Sequence, residues 1–111
     1  MQITELTKAL TPDEQGIFRN PNDYALAYPK DQNKRCFQVE DKSFWFKHRN
    51  DCIISAIKRL PPAGTMIDVG GGNGFVTRRL LDEGYDAALL EPGPVGAFNG
   101  KTERNIPMGI C

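Results

Sequence analysis

The chain has 111 residues, a length that suits one domain. Its 14 Lys and Arg residues balance 14 Asp and Glu residues, so the formal net charge is zero. This balance argues against a strongly electrostatic nucleic-acid or membrane partner. No apolar run is long enough to span a bilayer, and the N-terminus lacks the basic and apolar regions of a signal peptide.

Three cysteines, Cys36, Cys52 and Cys111, are scattered along the chain. They form no CxxC pair, so the sequence predicts neither a zinc site nor a redox dithiol. An odd number of isolated cysteines is typical of reduced thiols, and we therefore predict a cytoplasmic protein.

Residues 1–40 carry the weakest periodicity, and we predict a largely irregular N-terminal arm. The stretch "TPDE" has the pattern of a helix start, with Thr11 as N-cap and Pro12 at the first helical position. The following segment is polar and contains Pro21 and Pro29, which favour irregular structure. The domain proper is therefore expected to span residues 41–111.

Residues 43–60 have the spacing of an amphipathic helix. Ser43 suits the N-cap, and two prolines end the helix after residue 60. Its apolar face is predicted to contain Phe46, Ile53, Ala56, Ile57 and Leu60. Phe44, Trp45 and Phe46 are adjacent and cannot all share that face. We expect one or two of them to pack in the core, and the alternative is a cover over a ligand cleft.

Strand and helix patterns alternate from residue 65 onward. The successive segments are 65–69 (strand), 75–84 (helix), 86–91 (strand), 92–105 (loop or poor helix) and 106–111 (start of a strand). This order predicts an α/β fold with a Rossmann-like parallel sheet, right-handed crossovers and flanking helices.

The stretch "MIDVGGGNGFVTRRLL", residues 66–81, has glycine at four of the five positions from 70 to 74. A glycine-rich turn between a strand and a helix lets a ligand approach the backbone at the carboxyl end of a parallel sheet. A P-loop would need GxxxxGK[ST], and no lysine is near. A dinucleotide loop, GxGxxG, would need glycine at position 75 or 77, which are Phe75 and Thr77.

The pattern that does match is D-x-G-x-G-x-G, formed by Asp68, Gly70, Gly72 and Gly74. It resembles the first motif of the class I S-adenosylmethionine-dependent methyltransferases. Glu91, at the end of the second predicted strand, resembles the acidic residue that accepts hydrogen bonds from the ribose hydroxyls. The upstream "SFWFKHRN" is similar to the aromatic and basic segment that opens the domain in one broad methyltransferase group. The resemblance covers residues 41–111.

The resemblance implies that the loop approaches the methionine part of S-adenosylmethionine, while Asp68 orients the loop or reaches the amine through water. The cofactor-binding residues that it implies are Asp68, Gly70, Gly71, Gly72, Gly74, Glu91 and Arg49, the last facing the cofactor carboxylate. The alternatives are a glycine-rich turn without a ligand, a surface acid at Glu91 and a surface ion pair at Arg49.

The resemblance also implies a seven-stranded sheet of order 3-2-1-4-5-7-6, of which this chain supplies strands 1, 2 and the start of 3. We therefore interpret the chain as the N-terminal piece of a longer methyltransferase, inactive alone, whose catalytic residues lie beyond residue 111. The resemblance implies a small molecule or conjugate as the methyl acceptor. Residues 65–69 would have an unpaired apolar edge, so self-association is expected.

Two other functions remain open at this point. One is a non-catalytic module that uses the same loop for another nucleoside ligand. The other is a dinucleotide-dependent oxidoreductase, against which the failed GxGxxG register argues.

Overall fold

The computed structural model describes residues 8–20, 30–107 and 109–110. The strands in this part of the chain are Thr11–Pro12 (β1), Phe18–Arg19 (β2), Met66–Val69 (β3), Ala87–Leu90 (β4) and Gly109–Ile110 (β5). The helices are Lys30–Glu40 (α1), Phe44–Arg59 (α2), Phe75–Asp82 (α3) and Pro94–Thr102 (α4). The α/β class is confirmed, and so are the strands at β3 and β4 and the helix between them.

The five strands form one sheet of order β1-β2-β5-β4-β3. Strands β3, β4 and β5 are parallel, and Val69 of β3 pairs with Leu90 of β4. Parallel strands need crossover connections, and here α3 and α4 provide them. The carboxyl ends of β3, β4 and β5 therefore lie at the same end of the sheet, with β3 outermost.

The sheet as a whole is mixed, because β1 and β2, which lie in the arm predicted to be irregular, pair antiparallel at one edge. The predicted parallel pairing is confirmed for β3, β4 and β5. Thr11 and Pro12 lie in a strand and do not begin a helix. The reason is the side chain of Asp13, whose Oδ1 accepts hydrogen bonds from the amides of Gln15 (2.9 Å) and Ile17 (3.0 Å). These bonds close a turn at Gly16, which has a φ of 76°.

Residues 30–40 form helix α1, where the sequence predicts an irregular arm. The prediction failed because most of this segment is polar, so it shows no apolar stripe. Its helical state depends on tertiary contacts, since α1 packs against α4 and Glu40 is buried. A proline directly before a helix, such as Pro29, is compatible with the helix that follows.

Helix α2 buries a somewhat different face from the predicted one. Ile54 and Asn50 are buried, whereas Leu60 is 84% exposed and Ala56 is also exposed. Ser43 occupies the N-cap without a side-chain hydrogen bond. Ile54 packs with Leu80 and Ala87, which joins α2 to α3 and β4.

Of the three adjacent aromatic residues only Phe46 packs inward, where its ring meets the Phe75 ring edge-on at 6.2 Å between centroids. Phe44 and Trp45 are 81% and 65% exposed. Cys36 and Cys52 are free thiols, and Cys111 lies outside the described residues. Among the helices that the structure describes, none combines the length and apolar character needed to cross a membrane.

Candidate functional site

The glycine loop connects β3 to α3 at the carboxyl end of the parallel strands. The amide of Gly70 donates a hydrogen bond to the Leu90 carbonyl (2.7 Å), and the amide of Gly74 donates to the Gly71 carbonyl (3.0 Å). Gly70, Gly72 and Gly74 have φ values of 69°, 58° and 79°. Residues with a Cβ rarely adopt this left-handed conformation, which explains glycine at these three positions.

Two of the glycines are also required by packing inside the protein. A Cβ at Gly71 would lie 2.5 Å from Oδ2 of Asp68 and 2.6 Å from Cδ1 of Leu89. A Cβ at Gly74 would overlap Cδ1 of the fully buried Ile106. A Cβ at Gly70, in contrast, would meet no atom of the described chain within 4 Å. The space beside the Gly70 Cα is therefore open, while the Gly70 amide is held by the Leu90 carbonyl.

Asp68, the last but one residue of β3, anchors the loop to the following helix. Its Oδ2 accepts a hydrogen bond of 2.7 Å from the hydroxyl of Thr77, and Thr77 is fully buried in α3. The predicted role of orienting the loop fits this contact. Thr77 was missed by the sequence analysis, because a threonine inside a helix carries no pattern of its own.

Glu91 follows β4 and reaches across to the glycine loop. One carboxylate oxygen accepts a hydrogen bond from the amide of Gly72 and the other from the amide of Gly93, both at 2.7 Å. Glu91 is only 7% exposed, so it is not a surface acid. Two carboxylate oxygens can accept about four hydrogen bonds, so acceptor capacity remains beyond these two amides.

Arg49 lies on α2 and contacts an aromatic ring that packs near the loop. Its guanidinium carbon is 5.1 Å from the centre of the Phe46 ring, and Phe46 contacts Phe75 directly after the loop. The Arg49 Nε is buried and has no hydrogen-bond partner among the described residues. Among the described residues Arg49 forms no ion pair, and its Nε is a donor without an acceptor.

The structure thus brings Asp68, the four loop glycines and Glu91 together. Arg49 is linked to the end of the loop through two aromatic contacts, with Phe46 and from Phe46 to Phe75. Glu40, Asn73 and Arg104 were not predicted as site residues from the sequence. The three form a buried hydrogen-bonded chain that ends at the loop. No local pattern marks them, because Glu40 and Arg104 are 64 residues apart.

A separate cavity of about 360 Å³ lies beside α2 and α3 and contains none of the predicted cofactor residues. It is lined by Asp41, Lys47, Asn50, Asp51, Phe75, Arg78, Arg79, Asp82 and Arg104. Its charges are largely paired within the protein, as Arg78 is with Asp82 and Arg79 with Asp51. No group of three potential metal ligands occurs in the part of the chain that the structure describes.

Comparison of the chain with protein-family models, with curated proteins and with solved structures finds no match. Any assignment of function therefore depends on the loop residues and their geometry.

Proposed function

We propose that the glycine loop and Glu91 bind S-adenosylmethionine and that the protein is a methyltransferase for a small molecule or conjugate. The observation that carries this proposal is the 2.7 Å hydrogen bond between Glu91 and the Gly72 amide. It joins the ends of two adjacent parallel strands and places an acidic side chain near the open space at Gly70. That combination suits a ligand with hydroxyl groups next to an anionic group.

Each part of the site has a counterpart in the cofactor. The open space beside Gly70 receives the methionine part, and the buried Nε of Arg49 donates to its carboxylate. The remaining acceptor positions of Glu91 receive the ribose hydroxyls. In this proposal the strand order β5-β4-β3 corresponds to strands 3-2-1 of a class I methyltransferase sheet.

Methyl transfer requires little from these residues beyond binding and orienting the cofactor. The sulfonium of the cofactor already activates the methyl group, so a methyltransferase mainly aligns the acceptor with it. The loop and Glu91 are therefore assigned to cofactor binding, and no general base is assigned.

Gly70→Ala tests the site with a matched control in the same chain. Gly70 and Gly84 both have positive φ values, 69° and 88°, and both have open space where a Cβ would lie. Gly84 follows α3 at the end opposite the loop, so Gly84→Ala imposes similar strain away from the site. Glu91→Ala is less useful, because it also removes the acceptor of two loop amides.

The measurement is calorimetric titration with S-adenosylhomocysteine and, separately, with NAD. We expect the wild type and Gly84→Ala to bind S-adenosylhomocysteine equally and Gly70→Ala to bind at least about tenfold more weakly, a loss of about 1.4 kcal/mol. Preferential binding of NAD would favour an oxidoreductase. Binding of adenosine as tight as that of S-adenosylhomocysteine would favour a nucleoside-binding module. Equal affinity for S-adenosylhomocysteine in all three proteins would contradict a role of the loop in binding.

A further inference from the structure

A buried ion pair joins α1 to the segment after α4, and the proposed function makes no use of it. The Nη2 of Arg104 lies 2.7 Å from Oε2 of Glu40, and the two side chains are 8% and 7% exposed. The Nη1 of Arg104 also donates to the more exposed Asp41 at 3.1 Å. Because burying two charges is costly, such a pair needs good geometry and further hydrogen bonds.

The guanidinium of Arg104 contacts two aromatic rings. Its carbon is 5.0 Å from the centre of the Phe37 ring and 4.9 Å from that of the Phe75 ring. Phe37 belongs to α1, and Phe75 is the first residue of α3 after the glycine loop. An arginine can stack on aromatic rings while its edge donates hydrogen bonds. Arg104 therefore holds α1 against the end of the loop.

The second carboxylate oxygen of Glu40 extends this contact into the loop itself. It accepts a hydrogen bond of 3.2 Å from the Nδ2 of Asn73, which is 1% exposed. The Oδ1 of Asn73 accepts a further bond of 3.1 Å from the side-chain amide of Asn99. Asn73 lies between Gly72 and Gly74, both of which have positive φ values. Its side-chain hydrogen bonds therefore restrain the loop where the backbone has the most conformational freedom.

We propose that Glu40, held by Arg104, is a positioning residue for the cofactor loop. It acts through Asn73 to keep the Gly72 amide where Glu91 and the ligand meet it. A glycine-rich segment that is ordered before binding loses less conformational entropy when the ligand arrives. This inference rests on the proposed function and adds to it that α1 is part of the binding apparatus.

The test separates positioning from plain stability with two double variants. Both Glu40→Leu/Arg104→Met and Glu40→Gln/Arg104→Met remove the ion pair together, which avoids leaving one charge buried alone. Only the glutamine variant keeps an oxygen that can accept from Asn73. Asp41→Asn is the outer control, because it removes a partner of Arg104 and leaves the bond between Glu40 and Asn73 in place.

Affinity for S-adenosylhomocysteine and the urea midpoint of unfolding are measured for each protein. We expect the leucine variant to bind about tenfold more weakly than the wild type and Asp41→Asn to bind within about threefold of it. The glutamine variant, which also lacks Arg104, should bind more tightly than the leucine variant and less tightly than the wild type. Leucine and glutamine variants with equal affinity would overturn the positioning role.

If the leucine variant does not fold, Asn73→Leu breaks the same bond from the loop side. We expect a similar tenfold loss for it, and wild-type affinity in Asn73→Leu would overturn the positioning role. A different result would contradict the proposed function. If the wild-type protein does not bind S-adenosylhomocysteine, both proposals are wrong. A wild type that binds while the variants bind equally well removes only the positioning role.

Discussion

The four loop glycines differ in what surrounds the position that a Cβ would take. We call Gly71 and Gly74 the inner glycines and Gly70 and Gly72 the outer ones. At Gly71 and Gly74 a Cβ would overlap side chains of the protein itself, Asp68 and Leu89 at the first and Ile106 at the second. At Gly70 it would meet open space, and the amide of Gly72 meets the carboxylate of Glu91. Packing therefore requires two of the four loop glycines, and the ligand proposal depends on the open space at Gly70 and on the contact between Gly72 and Glu91.

The largest effect that this comparison predicts is at Gly74. Gly74→Ala combines a φ of 79° with an overlap at Ile106, so strain and overpacking add. We expect it to lower the free energy of unfolding by about 3 kcal/mol or more, measured by urea denaturation. A loss below about 1 kcal/mol would show that the core can shift to accept the methyl group and that the inner position is not fixed by packing.

Gly71→Ala is expected to have the next largest effect. Gly71 has no positive φ, so its cost comes only from the close approach to Asp68 and Leu89, about 1–3 kcal/mol of unfolding free energy. Gly64→Ala is the matched control, because a Cβ there would meet no described atom within 4 Å. The control should change the free energy of unfolding by no more than about 0.5 kcal/mol. Equal losses in the two variants would contradict the packing explanation.

Strand β3 leads into the loop, and two of its apolar side chains, Ile67 and Val69, are 43% and 74% exposed. β3 ends the sheet order, and exposed apolar edges promote pairing between chains. We expect the wild type to self-associate in sedimentation velocity and Val69→Lys to do so less. The free energy of unfolding should change by only about 0.5 kcal/mol, because the side chain is exposed. A wild type that stays monomeric at every concentration would contradict this prediction.

The smallest effect is expected far from the loop, at Asp13. Burial raises the pKa of Asp13, but hydrogen bonds from Arg19 and from the Ile17 and Gln15 amides outweigh it, so the pKa lies below its ordinary value of 3.8. A lowered pKa in the folded state contributes stability above pH 3.8, and this contribution is lost as the pH falls through the folded pKa. Asp13→Asn should therefore be less stable than the wild type at pH 6, with a smaller difference at pH 3. If urea denaturation gives the same difference in unfolding free energy between the two proteins at pH 6 and at pH 3, the lowered pKa of Asp13 does not contribute to stability.

The unit from β3 to β4 could be predicted from sequence because its signals are local. Apolar runs mark the two strands, helical spacing marks α3, and Gly84 ends that helix with a φ of 88°. The glycine motif and Glu91 are likewise close in sequence, so their meeting at the strand ends follows from the parallel arrangement.

The N-terminal part could not be predicted in the same way, because its structure depends on distant contacts. Helix α1 is stabilised by a carboxylate whose arginine partner is 64 residues away, and no periodicity reports such a pair. The turn at Asp13 depends on one side chain that caps two amides, and its sequence also fits a helix start. The burial of Asn73 was missed for the same reason, since it arises from α1 and α4 together.

The most direct test of the cofactor proposal is a ¹H–¹⁵N NMR titration of the wild-type protein with S-adenosylhomocysteine, with NAD as the parallel titrant. We expect saturable shifts of the Gly70 and Gly72 amide signals, because the first residue lies beside open space and the second is bound to Glu91. The signals of Gly64 and Gly84 should stay in place. Loop signals that do not move with S-adenosylhomocysteine, or that move at lower concentrations of NAD, would contradict S-adenosylmethionine binding at this site.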